Sequence, residues 1–464
     1  MNDTKRLSWA EDELRHADLG DRRLQRRLTR LVGDLATHPT APVPQACGSW
    51  AATKAAYRFW NHHAVHAHDI LAAHSRRTRD RLPDAGQAVL AIQDTTLLNF
   101  SHHPATRGLG YLSDLNQRGM LVHSTLCVGP DGVPLGLLAQ HVWTRDDAHF
   151  GKRKDRQHKP TKDKESQRWL DGLADTARAL PPGQAVVTVA DREADFYDLF
   201  AAPRRAGHDL LIRAKSRRRI KHEARLLGQG IATSPARGCL RVKIPRANGR
   251  PGRTATLTLR YGTFAIEPPS THPQRTQLAA LPLTVVLAQE ENPPKGIPAV
   301  RWLLLSTLPV RRYADAVRLV RWYARRWLIE RYNYVLKSGC RLEQLQLETQ
   351  TRLERALATY AVVAWRLLWL TYAARRAEQG LGDEVFEPEE WQVLQAQAGQ
   401  EPTAAPPSLR EAIGLVARLG GFLGRRGDGV PGARVIWRGL SRLEDLVTGY
   451  RLARQQVELP NTYG

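Results

Sequence analysis

Two apolar stretches of this chain each run into an aspartate. "VLAIQD" ends at Asp94 and "VVTVAD" ends at Asp191. Arg192, Glu193 and Asp195 follow at once, so acids crowd the point where an apolar strand stops. A single aspartate there usually caps a turn or a helix. It can also stand at the rim of a sheet, where ligands bind. A third acid comes from "YARRWLIERYNYVLK", residues 323–337. A helix turns about 100° per residue, which puts Tyr323, Arg326, Glu330 and Lys337 on one narrow face. That face is either an ordinary solvated one with an Arg–Glu pair or the third wall of a site. Three carboxylates from distant positions in a basic chain have one economical use. They can hold two divalent cations about 3.5–4 Å apart, as phosphoryl-transfer sites do. Hard oxygen ligands select Mg²⁺ or Mn²⁺. Without a cation, such a cluster is costly.

The elements that must carry these residues read as an α/β domain with a mixed sheet. "QAVLAIQD", "GMLVHSTLCV" and "PLGLLAQHVW" are strand-like, and "GPDGVP" is a plausible hairpin turn between the last two. "DKESQRWLDGLADTARAL" predicts a helix ending before Pro181, and the strand leading to Asp191 follows it. Residues 201–300 read as a β-rich insertion, with "PLTVVLAQE" and "AVRWLLLSTL" as further strands. From Asp315 to about Arg376 the pattern is helical. Ahead of all this, Leu24, Leu28, Leu31 and Leu35 form an amphipathic stripe with arginines on the other face. The expected domains are a helical 1–75, a core over 76–375, a linker over 376–406 and a helical 407–464. "GQEPTAAPPS" supplies the linker composition.

The chain has 464 residues, 42% of them hydrophobic, enough for two or three domains. Its net charge of +23 favours a polyanionic partner, above all nucleic acid. The charge is uneven: in 201–260 sixteen lysines and arginines stand against Asp209 and Glu223, and "LGDRRLQRRLTR" is a second focus. Read alone, Arg213 and Lys215 are generic phosphate contacts, and Trp302 is a core residue of a strand. Cys47, Cys127, Cys239 and Cys340 are scattered, which argues against a zinc site or a disulfide framework and fits a reducing cytoplasm. The charged N-terminus lacks signal-peptide character. The apolar run "TYAVVAWRLLWLTYAA" contains Arg366 and reads as a core helix, too short to span a bilayer.

Two motifs make the pattern specific. "DREAD" follows a valine-rich strand, and Tyr-x2-Arg-x3-Glu-x6-Lys is filled without a gap by Tyr323, Arg326, Glu330 and Lys337. Together they resemble the insertion-sequence-four family of DDE transposases. The likeness extends to "LGDRRLQRRL", "AAYRFWN", "IQDTT" at 92–96, "LVHSTL" at 121–126, "DKESQRWL" at 163–170, "ENPPKGIPAVRWLLLST" at 291–307 and "ARLGGFLG" at 417–424. The basic stretch 150–165 is longer than that pattern, and the segment before Leu7 is shorter.

The resemblance implies a ribonuclease-H-like catalytic core with a β-rich insertion, flanked by an N-terminal domain that binds transposon ends and a C-terminal dimerisation domain. It implies Asp94, Asp191 and Glu330 as catalytic and metal-binding residues, with Mg²⁺ as cofactor and Mn²⁺ able to substitute. Tyr323, Arg326 and Lys337 would engage the end DNA near the cut, and Trp302 would stack on a flipped base. Arg213, Lys215, Arg23 and Arg27 would make further DNA contacts. The partners implied are double-stranded transposon ends, target DNA and a second copy of the chain, on the bacterial nucleoid and not at a membrane. The reaction implied is cut-and-paste: nicking, a hairpin intermediate, its opening, and transfer of the 3′ ends. Two rivals are a catalytically idle regulator, which should lack an acid or the end-binding segment, and a stand-alone nuclease, which needs neither a dimerisation region nor a base-flipping tryptophan.

Overall fold

Parallel strands covered on both faces need continuous apolar runs, and the two runs that end in aspartate lie side by side at the centre of the sheet. The computed structural model describes residues 8–458 apart from 85, 153–158, 245–251, 374, 376–381, 404, 426 and 427. The middle of the unexpectedly long basic stretch therefore lies outside the described residues. Ten strands form one mixed sheet: β1 (Val89–Asn99), β2 (Gly110–Tyr111), β3 (Arg118–Val128), β4 (Pro134–Trp143), β5 (Val186–Ala190), β6 (His208–Arg213), β7 (Gly238–Ile244), β8 (Arg253–Ile266), β9 (Leu281–Gln289) and β10 (Arg301–Ser306). Their order is β2-β3-β1-β5-β6-β10-β9-β8-β7, with β4 also on β3. The β1–β5 and β5–β6 pairs are parallel; the other pairs are antiparallel. The run β4-β3-β1-β5-β6 is a ribonuclease-H-like core.

Strand β6 falls inside the range read as insertion, yet it pairs with β5 as the last strand of that core. β7, β8 and β9 extend the same sheet outward through β10. Successive residues of a strand face opposite ways. Gln93 meets the helix Gln167–Ala179 at Gly172, whereas Asp94 meets Asn333 of the helix Trp327–Tyr334. These two helices therefore cover opposite faces of β1.

The helical segment after Asp315 is not one continuous helix. Tyr313–Ala324 and Trp327–Tyr334 are separate, and Val335–Gly339 is a π-turn closed by Cys340 N–H donating to Val335 O at 2.8 Å. Tyr323, Arg326 and Glu330 still meet along one face, while Lys337 falls within the i→i+5 turn.

The N-terminal helices Trp9–Glu13, Arg22–Thr37, Val43–Cys47, Trp50–Asn61 and Ala67–Asp80 bury Leu28, Leu31 and Leu35 in one cluster with the helix Gln350–Ala373. That helix is 24 residues long and apolar enough to cross a membrane by length and composition, longer than the apolar run alone suggested. Its most apolar window is 89% buried inside the protein, which makes it a core helix.

The range read as linker contains a helix, Pro388–Gln397, whose Trp391 and Leu394 are buried with Leu409, Ile413, Val416 and Val447. Its apolar residues are too sparse in sequence to outweigh the flanking proline- and glutamate-rich composition, and they show only through packing. The helices Leu409–Leu419 and Ala433–Glu458 cross at backbone contact. A Cβ at Gly420 would meet Val435 O at 1.8 Å, and one at Gly439 would meet Val416 O at 1.8 Å. "ARLGGFLG" thus owes its first glycine to a helix crossing.

Candidate active site

The parallel ladder between β1 and β5 ends at Ile92 opposite Val189. Asp94 and Asp191 each stand two residues further on, where the ladder no longer joins the two strands. β1 continues against β3, with Asp94 opposite Ser124. Asp191 leaves β5 and caps one turn of 3-10 helix, its Oδ1 accepting the Glu193 N–H at 2.8 Å. Glu330 descends from the helix over the Asp94 face and accepts a short hydrogen bond from Arg326 Nη2. One turn further along, Asn333 Nδ2 donates to Asp94 Oδ2 at 3.2 Å.

Burial pushes the Asp94 carboxyl up to about 7. Arg326 opposes that rise; Asp191 and Glu330 add to it. Arg326 is raised in turn: burial pulls it down, but Tyr323, Glu330 and Asp94 around it prevail. Asp94 therefore feels the other two acids across the rim of the sheet. The three do not form a closed cluster, since no group of three His, Cys, Asp or Glu among the described residues stands ready to ligate an ion. Glu330 is turned to Arg326, which supplies the compensating charge. The hard oxygen donors and the mutual repulsion felt by Asp94 fit a divalent cation.

The other expected residues divide into two groups. Tyr323 is buried, its ring 5.4 Å from that of Trp302 and edge-on to it at 68°. The Tyr323 hydroxyl has no hydrogen-bond partner among the described residues. Burial raises its phenol, while Arg326 and Arg213 oppose. Trp302 is 6% exposed and packed in the main core, as strand patterning alone suggests. Arg213 ends β6, its Nη2 donating to Arg301 O at 3.2 Å. Tyr323, Arg326 and Arg213 thus gather near the acids.

The second group lies further off. In the π-turn, Lys337 Nζ donates to Leu97 O at 2.7 Å and stands 3.5 Å from Glu343. Lys215 is exposed, and its backbone N–H donates to Asp195 Oδ2 at 2.7 Å. Arg23, its side chain 89% exposed, and the half-buried Arg27 sit on the helix Arg22–Thr37, where the acid beside Arg23 is Asp21.

The acids of "DREAD" therefore have three separate fates. Asp191 faces the rim. Glu193 pairs with Arg168 at 2.7 Å. Asp195 is buried, 3.2 Å from Arg218 Nη2, and ties the basic loop to the end of β5. Asn333 and Arg168 were not singled out from the sequence. The i, i+3 spacing of Asn333 from Glu330 was a legible signal; nothing local marked Arg168.

The mixed sheet with its ribonuclease-H-like core, flanked by helical N- and C-terminal regions, is the fold of a DDE transposase domain. The chain matches three family models in order: Transposase DNA-binding over residues 6–65, Transposase DDE domain over 154–366 and Transposase Tn5 dimerisation domain over 362–459. The protein is a DDE transposase, an enzyme that acts on DNA. It has the domain set of a Tn5-type transposase, which binds DNA and forms homodimers. Enzymes of this class use divalent metal ions. Asp191 and Glu330 fall within the DDE match and Asp94 before it.

Proposed function

We propose that this enzyme is a cut-and-paste transposase of the insertion-sequence-four family, of the kind found in transposon five, the kanamycin-resistance element. The observation that carries the reading is the convergence of Asp94 and Asp191, at the end of the β1–β5 ladder, with Glu330 on the covering helix, within the domain order of a Tn5-type transposase. Two protomers bind the inverted ends and pair them through residues beyond 407, where Leu446, Tyr450 and Leu452 are exposed apolar side chains on one helix. Residues 1–75 bind the ends, with Arg23 and Arg27 on backbone phosphates. Residues 76–375 carry the chemistry, and Arg213 at the end of β6 and Lys215 in the loop beyond it add DNA contacts.

Asp94, Asp191 and Glu330 would hold Mg²⁺, or Mn²⁺ in its place; a bound cation lowers the pKa of an attacking water or hydroxyl and neutralises phosphodiester charge. Arg326 leaves Glu330 for a DNA phosphate, and Lys337 and Tyr323 fix the end beside the cut. A first nick frees a 3′-hydroxyl, which attacks the opposite strand to give a hairpin. Water opens the hairpin and the 3′ ends join target DNA. Hairpin formation requires an unstacked base, and Trp302 would receive it once the edge of Tyr323 gives way. The enzyme works in the cytoplasm on the nucleoid.

An end-labelled duplex carrying the inverted end of the element tests this. In Mg²⁺ the wild type yields nicked, hairpin and strand-transfer products. Asp191→Ala and Glu330→Ala yield none, yet still shift the duplex on a gel. Ca²⁺ supports binding without cleavage, because its larger, looser shell fits the site poorly. Wild-type nicking by Asp191→Ala would overturn the reading.

A further inference from the structure

We propose that Arg168 is a positioning residue that sets the spacing between the two aspartate-bearing strand ends; the inference rests on the reading of Asp94 and Asp191 as the catalytic acids. Past Ile92 and Val189 no backbone ladder joins β1 to β5, so something else must hold Asp94 and Asp191 in register. Arg168, in the first turn of the helix Gln167–Ala179, crosses that gap on the face of the sheet away from Asp94. Its Nε donates to Thr95 Oγ1 at 2.9 Å, beside Asp94 in the chain. Its Nη2 donates to Glu193 Oε2 at 2.7 Å, and the Glu193 N–H in turn holds Asp191 Oδ1. Its Nη1 donates to Glu165 O at 2.7 Å. Every nitrogen of the guanidinium is used.

The arginine is itself held in place. Its side chain is 13% exposed, and the guanidinium lies 5.7 Å from the Trp143 ring and 5.4 Å from the Trp169 ring. A Cβ at Gly172 would come within 2.9 Å of the Gln93 amide, so the helix packs directly on that side chain of β1. Thr95 Oγ1 also meets His123 Nδ1 at 2.9 Å, and His123 Nε2 meets Gln93 Oε1 at 3.2 Å. Burial holds this imidazole neutral. Both neighbours of Asp94, Gln93 and Thr95, are thereby fixed by one network that begins at Arg168. Glu193 is 64% exposed, so its ion pair contributes little energy. Its effect is to restrain the turn that carries Asp191.

Three readouts test the proposal: end cleavage in Mg²⁺, gel-shift affinity for the same duplex in Ca²⁺, and Tb³⁺ luminescence on the protein without DNA, competed by Mg²⁺. Arg168→Gln should lower kcat and weaken Tb³⁺ binding by about 10- to 100-fold, the usual cost of losing an outer partner of a ligand. KM and gel-shift affinity should stay unchanged. Arg168→Lys should recover part of the loss, since an ammonium reaches one partner but not both. Thr95→Val keeps the shape and removes the acceptor. It should reproduce the defect, and adding Arg168→Gln to it should cost little more.

Wild-type kcat and Tb³⁺ affinity in a folded Arg168→Gln protein would overturn the proposal. So would independent, multiplying effects of the two substitutions. Should Arg168→Gln fail to fold, the near-isosteric Thr95→Val decides alone: wild-type kcat and Tb³⁺ affinity in it would overturn the proposal. Asp191→Ala serves as the control. If it keeps full Tb³⁺ binding and cleavage, the assignment of the acids has failed, and not the bridging by Arg168.

Discussion

Asp94 at the sheet rim and Glu390 among the C-terminal helices both have carboxyls pushed up to about 7, with burial as the first cause in each. Their surroundings differ. Glu390 is the third residue of its helix; it accepts the Glu387 N–H at 2.7 Å and completes a capping box with that residue. Its neighbours Glu387, Glu444 and Arg451 come from the C-terminal helices, and Arg366 of the helix Gln350–Ala373 feels its charge. Asp94 feels Arg326, Asp191 and Glu330, which arrive from another strand and from a covering helix. A raised carboxyl in a helix cap is the cost of a local motif. At Asp94 two of the converging neighbours are themselves acids, a setting that a divalent cation would relieve.

The largest effect should separate the two regions outright. Asp94→Asn, nearly isosteric, should abolish nicking of an end duplex, whereas Glu390→Gln should leave the rate near wild type. A Glu390→Gln protein that folds and binds DNA but does not nick would break the distinction.

Buried tryptophans offer the next contrast. Trp391 belongs to the C-terminal core, and Trp391→Ala should destabilise the fold by about 3–5 kcal/mol with no selective effect on any chemical step. Trp302→Ala should still nick but form hairpins about 5- to 150-fold more slowly, the equivalent of about 1–3 kcal/mol of lost stacking. Removing the base at the flipped position should partly restore the rate. If nicking and hairpins decline together on a denaturing gel time course, Trp302 is a core residue like Trp391.

The smallest effect is on stability against pH. Both carboxyls are raised in the folded state, so folding penalises their charged forms. The penalty is absent below the unfolded values near 4, grows as pH rises, and is complete above about 7. In EDTA, Asp94→Asn and Glu390→Gln should therefore each raise the Tm at pH 8 and change it little at pH 4. Adding Mg²⁺ at pH 8 should raise the Tm of the wild type and of Glu390→Gln, but not of Asp94→Asn. Equal stabilisation of Asp94→Asn by Mg²⁺ would remove the cation from the rim.

Much of the site was legible because its signals are local. A valine run stopping at an aspartate, and an arginine four residues before a glutamate, are read from neighbours in the chain. What was not legible depends on partners far away. Glu193 and Asp195 look like Asp191 in sequence, yet one pairs with Arg168 and the other is buried against Arg218. Trp302 and Lys337 keep their motif positions, but packing against Tyr323 and a hydrogen bond to Leu97 O determine where they point.

By itself the sequence determined the class of protein and the order of its domains and singled out three acids as candidates, because apolar periodicity and motif spacing survive without any knowledge of contacts. Only the tertiary structure decided the break after Ala324, the π-turn at Val335–Gly339, the continuation of the insertion into the core sheet and the bridge made by Arg168. Each of these depends on which side chains meet across a sheet face, and helix phase or strand alternation cannot encode a meeting of residues 73 or 25 positions apart.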